Sequence, residues 1–444
     1  MLFSDWTDAL SVKSALVSRV AGLITSEQRL NRKRAQQEAR RRAGAAPHLV
    51  EYFHDITDPY SQLCAQVLGA FTARYQVRLK AHLVNPPPDW AAPERERLEA
   101  YSRQDAARLA RRAGLGFADP GRPVSPGQAA RANQLLAAAI DEESFARGAA
   151  AIGEAAWTGS LPDTPLDAAG LAARLAAGSA RREKLGHYLG ATFHYAGEWY
   201  WGIDRLHYLE ARLRELGAHR PGGGEGLIFE PPQSPLQSPV QPPAARSLPK
   251  GGTPELHYYL SFRSPYTYIA ARRAKALAEA YGAELRLRFV LPMVMRGLPV
   301  PRMKSSYITL DTAREARRLG VPFGRIVDPV GRPVERGYSI LPWAREQGRG
   351  FEFCEAFLAG VWSQGIDAGT DSGLRRIVEA AGLDWSGARR QIGSEAWRAE
   401  AEANRAEMMA LGIWGVPSFR VGDVTSWGQD RLWLIEEELI KASG

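Results

Sequence analysis

In two stretches of this chain, apolar and polar positions follow almost the same pattern. Residues 50 to 65 read VEYFHDITDPYSQLCA, and residues 256 to 271 read LHYYLSFRSPYTYIAA. Each opens on an aromatic and β-branched run that predicts a strand, turns at a proline, and enters an alanine-rich helical pattern. A single register pairs Tyr52 with Tyr258, Asp58-Pro59-Tyr60-Ser61 with Ser264-Pro265-Tyr266-Thr267, Tyr101 with Tyr307, and Asp105 with Asp311. A second strand is predicted in each copy, VRLKAHLV from Val77 and ELRLRFVLP from Glu284. About a hundred residues of helical Ala/Arg/Leu periodicity follow. The match then resumes, LGHYLGATFHYAGEWYWGIDRLHYLE from Leu185 against LGIWGVPSFRVGDVTSWGQDRLWLIE from Leu411. This closing segment predicts two short strands around Gly422-Asp423 and a last helix from Asp430.

The order β-α-β, helices, β-β-α is that of an α/β thioredoxin fold with an inserted helical subdomain. Read twice, it predicts two tandem thioredoxin-like domains. Between them, residues 220 to 252 read RPGGGEGLIFEPPQSPLQSPVQPPAARSLPKGG, and this proline density disfavours both helix and ladder. The expected organisation is a basic helical arm over 1–46, a first domain over 47–219, a linker over 220–252 and a second domain over 253–444. The apolar triplet Leu227-Ile228-Phe229 is the part of the linker suited to docking on one of the domains.

Composition changes this picture little. The chain has 444 residues and 45% apolar content, ordinary for a soluble globular protein, and no apolar run long enough to span a membrane. Asp5 and Asp8 stand where a secretory signal would be basic and then apolar, so the expectation is a cytoplasmic protein. The net charge of +8 is concentrated in Arg29, Arg32, Lys33, Arg34, Arg40, Arg41 and Arg42, opposed only by Glu38. No aromatic or glycine-rich reader motif accompanies this run, which favours a solvated helical arm over a nucleic-acid surface. The eight histidines show no metal-ligand spacing, so no metal site is expected, and neither GGGEG nor GLGFADPG sits in a phosphate-binding pattern.

The two cysteines, Cys64 and Cys354, occupy unrelated positions in the repeat and read as small buried apolar residues. Thiol–disulfide exchange needs an attacking thiolate and a resolving thiol. The four positions that could carry such a pair hold Asp58, Ser61, Ser264 and Thr267. Disulfide chemistry at these positions is excluded.

Three separated motifs, Ser264-Pro265-Tyr266-Thr267 after a strand, Gly415-Val416-Pro417-Ser418, and Trp427-Gly428-Gln429-Asp430-Arg431, occur in one order. Together they resemble the DsbA-like superfamily, and within it 2-hydroxychromene-2-carboxylate isomerases and kappa-class glutathione transferases. The resemblance covers residues 254 to 440 well and residues 47 to 215 as a degenerate copy. It implies glutathione as cofactor, a small aromatic or carboxylate substrate, and a glutathione-dependent isomerase or transferase.

The implied site lies in the second copy. Ser264 would donate a hydrogen bond to the glutathione sulfur at a helix N-terminus, flanked by Pro265 and Tyr266; as a plain helix cap it would look the same in sequence. Pro417 would be cis, exposing the backbone edge of Val416 to a peptide-like ligand, whereas a trans proline would make an ordinary loop. Gln429 and Asp430 would meet the γ-glutamyl group, although Asp430 recurs as Asp204 beside Arg205 and also suits a helix cap. Lys304, Arg302 and Tyr307 are candidates to face a carboxylate; Lys304 matches Leu98, while Tyr307 matches Tyr101 and so also suits packing. The family's asparagine after the second strand is absent from LPMVMRGLPVP, which weakens the comparison there.

In the first copy Asp58 replaces Ser264 and Ala191 replaces Pro417. A carboxylate at that spot repels a thiolate, and a non-proline cis bond costs about 3 kcal/mol, so the first copy is expected to be catalytically silent. Its aromatic run Glu198-Trp199-Tyr200-Trp201-Gly202 reads as packing. The rival reading of the whole chain is a noncatalytic DsbA-like binding or scaffold protein whose groove beside Pro417 holds a peptide or partner. The sequence leaves oligomerisation open.

Overall fold

The structure, a computed structural model, describes residues 4–230 and 253–443. Helices α1 (Ser4–Thr25) and α2 (Glu27–Ala43) lead into β1 (His48–His54), α3 (Pro59–Arg74) and β2 (Val77–Leu83). Four helices follow, α4 (Arg95–Ala113), α5 (Pro126–Asp141), α6 (Phe145–Thr158) and α7 (Ala168–Leu185). The hairpin β3 (Thr192–Tyr195) and β4 (Glu198–Trp201) and helix α8 (Leu206–Glu215) close the first half. The second half runs β5 (Glu255–Leu260), α9 (Pro265–Ala280), β6 (Glu284–Phe289), α10 (Arg302–Arg318), α11 (Arg332–Glu346), α12 (Gly350–Ala359), α13 (Asp371–Ala380), α14 (Trp385–Arg389), α15 (Trp397–Ala410), β7 (Ser418–Val421), β8 (Val424–Trp427) and α16 (Leu432–Ser443).

Each half of the chain builds its own four-stranded sheet, in the orders β2-β1-β3-β4 and β6-β5-β7-β8. In both, the opening strand pairs parallel with the second and antiparallel with the third, and the third pairs antiparallel with the fourth. The registers agree: Tyr52 faces Phe193 in one sheet, and Tyr258 faces Phe419 in the other. These pairs bring ring centroids to 4.8 and 5.1 Å, the offset contact that aromatic cross-strand pairs favour. The central strands are buried on both sides, which explains why they read as near-continuous apolar runs rather than as a clean alternation.

The chain divides into two compact units. One comprises the described residues of Asn31–Pro231 with Pro301–Tyr307, and the other those of Met1–Leu30, Pro232–Val300 and Ile308–Gly444. The expected N-terminal arm is therefore divided. Helix α1 belongs with the second sheet, while most of α2 belongs with the first, where Arg34 holds Glu198 through two bonds of 2.8 and 2.9 Å.

The expected linker begins later than its composition suggested. Residues 220 to 230 are tied to the first unit, because Arg74 and Arg214 donate to the carbonyls of Gly223 and Gly226 and Glu210 accepts from the Ile228 N–H. Phe229 is buried in that unit's core, so the Leu227-Ile228-Phe229 triplet docks there. Residues 231–252, the proline-rich remainder, lie outside the described residues.

Candidate functional site

In the second unit the chain leaves β5, turns at Ser261–Ser264, and enters α9. Ser264 has extended backbone angles, its hydroxyl accepts the Thr267 N–H at 3.2 Å, and Pro265 fills the first helical turn, where a missing N–H costs nothing. That hydroxyl also donates to the Val416 carbonyl at 3.3 Å, bridging the helix cap to the loop before β7. The Val416–Pro417 peptide is cis, and it is the one cis bond among the described residues. The Gly428 N–H closes the loop by donating to the Pro417 carbonyl at 2.9 Å.

This loop is tightly specified. A side chain at Gly415 would place its first carbon 2.2 Å from the Trp427 ring, so only glycine lets that indole lie against the backbone. Ser418 donates to the Gly415 carbonyl at 2.7 Å, and Trp414 packs 5.0 Å from Trp427. Beneath the cap, the buried Thr267 Oγ1 has no hydrogen-bond partner among the described residues. Beside it, Arg263 makes a bidentate pair with Asp328 at 2.8 and 2.7 Å.

The other expected residues divide by location. The hydroxyl of Tyr266 donates to Asp311 at 2.8 Å, just as Tyr60 donates to Asp105 at 2.7 Å in the first unit, so this pair anchors helix α9 to α10 as its counterpart anchors α3 to α4. Gln429 is buried: its amide oxygen accepts from Arg273 at 2.7 Å and its nitrogen donates to Glu315 at 2.9 Å. Its side chain therefore serves an internal network, and burial draws Arg273 down to about 10. Asp430 follows in a 3₁₀ turn spanning Gln429–Arg431 that precedes α16. Arg302, Lys304 and Tyr307 lie in the first turns of α10, and residues 301–307 cluster with the first unit rather than with Ser264. Tyr307 meets the His187 ring edge-on at 4.5 Å, and burial lowers the Lys304 ammonium below the ordinary lysine range.

Arg263 and Arg273 went unremarked in the sequence, and Thr267 was read only as a position lacking a thiol. Thr267 carried a further signal as the counterpart of Ser61, whereas the two arginines, one in a turn and one on a helix, look like any surface cation until their partners are seen.

At the matching place in the first unit, Asp58 caps α3 by accepting the Tyr60 N–H at 3.0 Å and the Ser61 hydroxyl at 3.2 Å. Ser61 in turn accepts the Ala191 N–H at 2.9 Å, a bond that Pro417 cannot make in the second unit. Ala191 holds a left-handed φ of 52°, and the Gly202 N–H donates to its carbonyl at 2.8 Å. Burial and the neighbouring Asp55 push the Asp58 carboxyl up to about 7. Both cysteines are buried and burial raises both thiols, Cys64 in the first unit and Cys354 in the second.

A β-α-β and β-β-α frame with a helix-capping hydroxyl set against a cis-proline loop defines a thioredoxin-fold domain. Residues 255–440 match the DSBA-like thioredoxin domain family. A 2-hydroxychromene-2-carboxylate isomerase from Pseudomonas putida is 24% identical over 190 residues, covering 41% of this chain and 92% of that protein. One from Sphingobium xenophagum is 26% identical over 198 residues, covering 42% of this chain and 99% of the relative. Among solved structures, a selenomethionine 2-hydroxychromene-2-carboxylate isomerase aligns at 23% identity over 42% of this chain and 94% of that one, with a TM-score of 0.37.

Proposed function

We propose that the second unit binds glutathione at the junction of the α9 cap and the Val416–Pro417 loop, and uses it to isomerise or conjugate a small aromatic or carboxylate substrate. The observation that carries this reading is the bridge from Ser264 Oγ to the Val416 carbonyl at 3.3 Å, which sets a hydroxyl, a helix N-terminus and a backbone edge side by side. These features suit a cysteinyl peptide: the helix N-terminus favours a thiolate, and the Val416 backbone edge, once Ser264 releases its carbonyl, favours an extended ligand. The relatives named as 2-hydroxychromene-2-carboxylate isomerases support the same direction.

Bound glutathione would supply a thiolate able to add to an activated C=C and leave again without net redox change. Ser264 would turn its hydroxyl from the Val416 carbonyl toward the sulfur, Val416 would hold the ligand backbone, and Asp430 would meet its ammonium. Neither cysteine takes part, since both are buried with raised thiols. We place the protein in the cytoplasm on the same reading. A noncatalytic binding role is the second reading, favoured by the engagement of Gln429 and Tyr266 in internal bonds.

The test is conversion of a 2-hydroxychromene-2-carboxylate by the full chain. Turnover that requires reduced glutathione and is not restored by dithiothreitol supports the enzyme. Absence of turnover with glutathione present, while the chain still binds peptides beside Pro417, supports the binding role.

A further inference from the structure

Helix α1 packs with its polar face inward and its apolar face outward. Its inner face is Ser14, Ser18, Gly22 and Thr25, spaced by helical turns. Ser14 donates to Asp367 at 2.7 Å, and the Thr25 carbonyl accepts from Arg317 at 3.0 Å. The fit is close, because a side-chain carbon added to Gly365 would come within 2.4 Å of Ser18 Oγ, and one added to Gly324 within 2.4 Å of Thr25 Oγ1. Ser18 and Thr25 are buried as a result.

The opposite face carries Leu16, Val17, Val20, Leu23 and Ile24, exposed by 63, 52, 47, 64 and 43%. Scattered exposed aliphatic residues need no explanation, but five on one helical stripe with steps of three and four form a continuous ridge. This is the reverse of the amphipathic pattern that folds a surface helix onto its own domain.

We propose that this face of α1 is a self-association surface, pairing with α1 of a second copy of the chain. The spacing matches itself: a ridge of Leu16, Val20 and Leu23 beside Val17 and Ile24 offers the alternating knobs and gaps that two identical helices interlock. The area fits a weak, reversible pair. The five side chains leave roughly 450 Å² of apolar surface per copy, so a pair buries about 900 Å² before its rim is counted, near the ~1,000 Å² that specific interfaces clear. A membrane surface is a poorer match, because interfacial helices set an apolar face against a lysine- and arginine-rich one. Here the face opposite the ridge is serine, glycine and threonine, and it is already packed on the domain.

The test is the mass of the full chain by size-exclusion chromatography with light scattering. A dimer of twice 48.8 kDa is expected, with Val20→Glu raising its dissociation constant by at least about 100-fold through burial of two like charges. Val20→Glu lies on an exposed position, and an unchanged circular dichroism spectrum would confirm that its fold survives. Independently, Val20→Cys should be joined into a covalent dimer by a short bis-maleimide, with the wild type as control because Cys64 and Cys354 are buried. A wild-type chain that is monomeric at about 100 µM would overturn the proposal, whether or not it floats with anionic vesicles. So would a dimer whose mass is unaffected by Val20→Glu and whose Val20→Cys variant does not cross-link.

Discussion

Replacing Asp58 by asparagine should change how stability depends on pH far more than it changes stability itself. The carboxyl sits at the cap of α3, next to the buried Asp55, and is pushed up to about 7 from an ordinary value near 3.8. A raised acid holds a proton in the folded state that the unfolded chain has already released. Its contribution is therefore fully present below about pH 4 and is lost as pH rises through about 7. A displacement of about three units corresponds to about 4 kcal/mol over its whole range, of which about 2.7 kcal/mol falls above pH 5; allowing for partial exposure and for coupling to Asp55, about 1 to 2 kcal/mol should disappear between about pH 5 and pH 8. The amide of Asp58→Asn keeps an acceptor for the Tyr60 N–H but loses the Ser61 bond, a pH-independent cost of about 1 kcal/mol. Urea unfolding of the full chain at about pH 5 and about pH 8 separates the two effects. The variant should lose less stability than the wild type across that interval, keeping only the slope due to Asp55, whose carboxyl burial also raises. Equal slopes in the two proteins would refute the raised Asp58 carboxyl.

Three further outcomes follow from the packing. Gly415→Ala should destabilise the second unit by about 1 to 3 kcal/mol and move Trp427, seen as a shift in its fluorescence, because the added carbon meets the indole at 2.2 Å. Arg273→Met should cost about 2 to 4 kcal/mol in urea titrations, since it strips Gln429 of a buried donor and leaves Glu315 with less compensation. Neither Cys64 nor Cys354 should react with an aromatic disulfide reagent in the native protein, and both should react in denaturant; rapid native labelling would contradict the burial of these thiols.

The frame was legible because it rests on local pattern. The apolar runs at Val50 and Leu256 become the central strands, Pro59 and Pro265 open helices, and paired positions such as Tyr60–Asp105 and Tyr266–Asp311 form the same bond in each unit. The cap residues could be read for the same reason, since a serine before a proline at a helix start has few conformational choices. Long-range partners could not be read. Nothing near Gln429 announces Arg273 or Glu315, and nothing in the glycine-rich start of the linker announces that Arg74, Glu210 and Arg214 bind it. Helix α10 shows the limit most clearly. Its sequence is continuous, yet residues 301–307 and the remainder cluster with different units. Periodicity reports which face of a helix is apolar and not what covers it, as the outward ridge of α1 also shows.

The central claim is that one glutathione site exists per chain and that Ser264 contributes to it. Titration calorimetry with reduced glutathione tests this directly, using the wild type, Ser264→Ala and Asp58→Ala. The expected result is one site per chain, an affinity lowered about 10- to 100-fold by Ser264→Ala through loss of a hydrogen bond to a charged sulfur worth roughly 1.5 to 3 kcal/mol, and little change from Asp58→Ala. Absence of binding, or equal loss from the two substitutions, would contradict it.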